Sequence, residues 1–95
     1  MNYKYRKKPI IIEAFQMTYE RRWDNSEWPQ WLHKAWNLDS TDANSLYCND
    51  NGGQLYINTL EGIHSVTPED YIVQGIKGEI YPCKPDIFKT SYEKI

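Results

Sequence analysis

The sequence predicts an α+β domain in which one helix packs on a curled, mainly antiparallel sheet of short hairpins. Three observations point there. A β-branched run, Ile10-Ile11-Ile12, opens the chain. A single stretch of helical periodicity follows, with Trp28, Trp31, Leu32, Ala35 and Trp36 spaced so that they fall on one stripe. From Leu46 onward the chain breaks into short apolar segments separated by turn signals. At 95 residues the whole chain, residues 1–95, fits one domain.

The elements can be justified in order. Residues 3–18 read as the first strand. Alternation puts Ile10, Ile12 and Ala14 on one face and Ile11, Glu13, Phe15 and Met17 on the other, so partial cover on both sides is expected. Pro9 suits an edge or a strand start, where its missing N–H costs no ladder bond. Asp24 with Glu27 three residues later resembles a capping box, which predicts a helix directly after it, with Pro29 harmless in the first turn. Residues 37–45 are polar and aperiodic, a loop longer than the roughly four to six residues of most connections. Strands are expected over residues 46–49, 54–60, 63–66, 71–74 and 79–81. Asn51-Gly52-Gly53, Glu61-Gly62 and Lys77-Gly78 supply hairpin turns, and Thr67-Pro68-Glu69-Asp70 has proline where a type I turn takes it. Pro85 presets one short helical turn over residues 84–89 before an extended end.

Composition narrows the function classes. Hydrophobic residues at 40% and charged residues at 25% describe an ordinary globular chain. No apolar run nears the roughly 20 residues that span a bilayer, so a soluble protein without a membrane partner, remaining where it is made, is expected. The formal net charge of −2 hides an asymmetry, because Lys4, Arg6, Lys7 and Lys8 crowd the start while residues 37–76 hold no Lys or Arg. A phosphate-tracking nucleic-acid binder is usually basic throughout, and here only a patch is. Cys48 and Cys83 are expected as free thiols. They and His33 and His64 lack the paired spacing of a zinc site, so neither metal nor cofactor is expected. Aromatic residues reach 15%, enough to build much of a small core and still furnish a binding surface. Exposed rings on so small a domain also raise the prospect of a homodimer.

Catalytic groupings are scarce. Cys83 beside Lys84 is the one tempting nucleophile, although neighbours on an extended segment point to opposite sides. No phosphate loop exists, and Glu69-Asp70 sits in a turn where solvated charge is the default. Binding chemistry is better supplied. Asp39, Asp42 and Asp50 could face a basic protein. Arg6 and Lys8 on the first strand, with Lys77, Tyr81 and Lys84 around the last hairpin, could cradle a nucleotide if the two strands were neighbours.

Two segments are specific enough to carry a resemblance. Tyr5-Arg6-Lys7-Lys8-Pro9 through Ile12-Glu13-Ala14-Phe15-Gln16 is one. The other is Asp70-Tyr71-Ile72-Val73-Gln74-Gly75-Ile76-Lys77-Gly78-Glu79-Ile80-Tyr81-Pro82-Cys83-Lys84-Pro85-Asp86-Ile87-Phe88, followed by Ser91-Tyr92-Glu93. Together they resemble a family of small tailed-phage and prophage proteins, over about half the chain. Members often read Pro-Gly-Asp-Tyr where this chain has Pro68-Glu69-Asp70-Tyr71, and glutamate argues against a positive φ there. The resemblance implies a phage accessory protein in the host cytoplasm, acting without catalysis by binding a host protein, by analogy an effector of host defence. Sequestration of a nucleotide immune signal is the alternative; a Cys83-dependent enzyme and a virion part are further ones.

Overall fold

The computed structural model describes residues 3–49 and 53–95 and has the expected α+β class. Its strands are β1 (Glu13–Gln16), β2 (Leu46–Cys48), β3 (Leu55–Thr59), β4 (Gly62–Val66), β5 (Tyr71–Gln74) and β6 (Ile80–Cys83). Its helices are α1 (Tyr19–Asp24), α2 (Gln30–Trp36) and α3 (Pro85–Ser91). Two antiparallel three-stranded sheets replace the single sheet expected, in the orders β1-β5-β6 and β2-β3-β4. The turn at Asn51-Gly52 lies outside the described residues. No helix among the described residues is long and apolar enough to cross a membrane.

The first strand is much shorter than its pattern suggests. Only Glu13 to Gln16 pair with β5, from Glu13 opposite Gln74 to Gln16 opposite Tyr71, and residues 3–12 have no regular structure. The capping-box reading is also corrected. Thr18 is the cap that matters: its hydroxyl accepts from Arg21 N–H at 3.3 Å and starts α1, a helix the apolar periodicity gave no sign of. Asp24 ends that helix, Asn25 stops it at φ 53°, and Trp28 Nε1 donates to Arg21 O at 2.8 Å. Glu27 instead reaches Arg21 at 3.4 Å. The predicted stripe does face the core, with Trp28, Leu32 and Ala35 buried and Trp31 and Trp36 packed alongside.

That core lies between the sheets. Phe15, Ile72 and Ile80 from one meet Leu46, Leu55, Ile57 and Val66 from the other, with α2 closing the side. Tyr71, Val73, Tyr81 and Cys83 alternate onto the opposite face of β5 and β6. There α3 covers them, Phe88 stacking on Tyr71 at 3.9 Å and on Tyr92 at 5.0 Å between ring centroids. Most rings are thus in this outer layer or on the surface; of the aromatic side chains among the described residues, only Phe15 and Trp28 are buried.

The crossover from one sheet to the other is closed by Asp70, which is 1% exposed. Its Oδ2 accepts from Thr67 N–H at 2.8 Å, Thr67 Oγ1 at 2.9 Å and Lys84 Nζ at 3.3 Å. Met17 N–H donates to Asp70 O while Glu69 N–H donates to Met17 O, so one residue faces two and the ladder ends in a bulge. The turn is not type I. Asp70 N–H bonds Thr67 O at 3.1 Å and Glu69, third in the turn, has φ 76°, the mark of type II. Glu69 thus holds the left-handed conformation that glutamate is expected to avoid, flanked by the bonds of Asp70 to Thr67 and Met17.

Two stability predictions follow from this junction. Asp70→Ala should lower the unfolding free energy by about 2 kcal/mol, and Asp70→Asn by less, because an amide oxygen still accepts from Thr67. Glu69→Gly should be neutral within about 0.5 kcal/mol, relief of left-handed strain offsetting the added freedom of the unfolded chain, whereas Glu69→Val should cost about 1–2 kcal/mol. Urea denaturation of the four variants measures both.

Candidate functional site

A groove of about 460 Å³ opens between the β3–β4 turn and the free edge of β6. Thr59, Leu60, Glu61 and His64 form one wall, and Glu79, Ile80, Tyr81 and Pro82 form the other, with Asn44 at the base. Its size is that of an ordinary ligand site. Neither wall carries Lys or Arg.

The chemistry of the β6 wall follows from its place as an edge strand. Ile80 N–H points away from β5 and donates to Asn44 Oδ1 at 3.3 Å. Pro82 has the same parity, so its missing N–H falls on the open edge, the position in a sheet where proline is tolerated. What this edge can offer a ligand is therefore carbonyl oxygen. Glu79 packs its carboxylate against Gly75, where any Cβ would collide with it. Tyr81 hydroxyl meets that of Tyr92 at 3.2 Å. Burial first, then that hydrogen bond and the charges of Cys83 and Glu79, push the Tyr81 phenol well above its ordinary range.

The acidic loop adjoins this groove through Asn44. Asn44 N–H donates to Asn58 O at 2.7 Å, and Asn58 Nδ2 donates to Ser40 O at 3.3 Å and Asp42 O at 3.2 Å, so β3 pins the loop along its length. Within it, Asp39 accepts from Thr41 N–H at 3.0 Å and Thr41 Oγ1 at 2.9 Å, bonds that hold its carboxyl below the usual range. Asp42 accepts from Asp39 N–H at 3.2 Å. Both carboxylates are exposed on a fixed backbone. Asp50 lies outside the described residues. Glu61 and Glu79 extend the acidic surface; sequence reading missed them because neither stands in a charge run, and only the turn-to-edge juxtaposition joins them.

The candidate nucleotide set is not brought together. β1 pairs with β5 of the last hairpin, but β5 lies between it and β6, so the first strand is not adjacent to the strand that carries Tyr81. Arg6 and Lys8 belong to the irregular segment before β1, and Lys77 and Lys84 flank opposite ends of β6. Lys84 is engaged by Asp70 and Thr67, at 2.8 Å to the threonine hydroxyl. Nor does Lys84 activate Cys83. Burial, then the charges of Asp70 and Asp86, push that thiol upward. Among the described residues no three of His, Cys, Asp and Glu cluster to hold a metal ion.

No family model, curated protein or solved structure matches this chain.

The direction of the Cys83 shift gives a kinetic expectation. A raised thiol pKa leaves less thiolate near pH 8, so alkylation of Cys83 in the native protein should be slower than in the guanidinium-unfolded chain. Its rise with pH should be displaced upward. Peptide mass mapping of iodoacetamide labelling reads this site separately from Cys48, and a native rate equal to or above the unfolded one contradicts the assignment.

Proposed function

We propose that this protein is a phage accessory protein that acts without catalysis, binding a host protein through an acidic surface made of the pinned loop and the adjoining groove. The observation that carries this reading is the groove: two carboxylates, an acceptor-only strand edge and apolar Leu60, Ile80 and Pro82, with no Lys or Arg in its walls. Such a lining suits a segment that brings Lys or Arg together with an apolar anchor, and long-range attraction from Asp39, Asp42 and Asp50 would speed its approach. A basic defence effector, such as a nuclease whose natural ligand is polyanionic, presents that chemistry. The upward-shifted Cys83 and the engagement of Lys84 by Asp70 support a non-enzymatic role. The scattering of Arg6, Lys8, Lys77 and Lys84 makes nucleotide sequestration the weaker reading.

Tagged protein should retain a host protein from defence-carrying cells in stoichiometric amount. Reversal of Asp39, Asp42 and Glu61 to Lys should abolish that retention while leaving the circular dichroism spectrum unchanged, and retention by the unaltered chain should fall as salt rises. A partner held equally by the reversed variant, or a co-purified nucleotide with no protein, overturns the proposal.

A further inference from the structure

The strongest strand former in this sequence has no strand partner among the described residues. Ile10 and Ile11 stand 46% and 77% exposed in a segment with no regular structure, directly before β1. β1 itself is an edge strand with β5 on one side.

The direction of its backbone groups can be read from Met17, whose N–H and C=O both bond toward β5. Successive residues of a strand alternate in this, so Phe15 and Glu13 bond inward and even-numbered residues turn theirs to the open edge. Gln16 fits the alternation, since its C=O accepts from Arg21 Nη1 at 2.9 Å, which closes that end of the edge. Continued as a strand through the preceding residues, the same alternation would make Ala14, Ile12, Ile10 and Lys8 one open row. Pro9, of odd parity, leaves its missing N–H on the far side.

We infer that a second copy of this chain covers this edge, the two segments pairing antiparallel about a two-fold axis at Ile11. This register sets Lys8 opposite Ala14 and Ile10 opposite Ile12 of the second copy, so all four open positions are used in both chains. Ile11 meets its counterpart in the central, non-hydrogen-bonded pair. Charge selects the same register. Lys7 falls diagonally across from Glu13 of the second copy on the same face, whereas sliding the pairing toward the N-terminus would set Arg6, Lys7 and Lys8 of the two copies against one another. The contact is isologous and closes after two copies. It lies on β1, across β5 from the β6 groove, and does not depend on the proposed function.

Light scattering after size exclusion, from micromolar to submillimolar protein, should show a monomer–dimer equilibrium. Ile12→Pro removes an open-edge N–H without touching the β1–β5 ladder, and should raise the dimer Kd roughly tenfold or more, with thermal melting of the dilute protein unchanged. In a chain carrying Cys48→Ser and Cys83→Ser, Ile11→Cys should cross-link to its counterpart under mild oxidation and Ile10→Cys should not, because only residue 11 faces itself across the axis. A monomer at every concentration, a dimer insensitive to Ile12→Pro, or equal cross-linking at both positions overturns the inference.

Discussion

The arrangement of this domain depends on one buried carboxylate. Asp70 stands where the chain leaves the β2-β3-β4 sheet and enters the other, and its Oδ2 ties together Thr67 before the crossover and Lys84 at the start of α3. Its backbone carbonyl takes Met17 N–H at 2.8 Å, so the end of β1 is fixed by the same residue. Three parts of the fold thus meet at one residue, two through its side chain and one through its backbone carbonyl. Burying a carboxyl without partners is costly, and here the cost is met at one oxygen only, since Oδ1 is buried with no partner among the described residues. The turn geometry is what makes the arrangement possible: with Glu69 in the left-handed region, Asp70 can fold back on Thr67 while its carbonyl still serves the ladder.

From this junction the division into two aromatic environments follows. One face of β5 and β6 supplies Ile72 and Ile80 to the core, and the other supplies Tyr71 to the ring stack with α3 and Tyr81 to the hydroxyl contact with Tyr92. Lys84 links them, because it stands at the N-cap position of α3 and its Nζ reaches Asp70. A helix of seven residues with no buried side chain could not persist on intrinsic propensity, so its position rests on ring stacking and on that lysine. The side of β6 turned from β5 is left as the groove wall. Site and fold therefore share β6, and Pro82 marks the edge that remains open.

Elements with a strong local signature were legible from sequence. The helical stripe at Trp28, Leu32 and Ala35 and the strand at residues 71–74 lie where periodicity placed them, and Pro85 begins α3. What was illegible depends on distant partners. The N-terminal pattern is that of a long strand, yet β5 has only four residues to pair with it, and pairing rather than propensity sets strand length. α1 has no apolar stripe; its Thr18 cap and the Asn25 stop are single-residue signals. Glu69 misled because the strain at one residue is decided by the network around it. At the site, Asp39 and Asp42 were visible as charges, while Glu61, Glu79 and the Asn44–Asn58 brace became recognisable only when the two sheets were set side by side.

The separation of charge along the chain then acquires a structural sense. A basic segment and an acidic groove in one molecule would ordinarily neutralise each other, and ten extended residues could span roughly 33 Å. That segment precedes β1, with β5 between β1 and the β6 wall of the groove, and the domain measures 54 Å along one axis against 26 and 21 Å along the others. Among its lining residues the acidic groove itself carries neither Lys nor Arg. In the dimer inferred above, the basic segment disfavours any register that sets like charges opposite, the role that lysine and arginine commonly serve on open sheet edges.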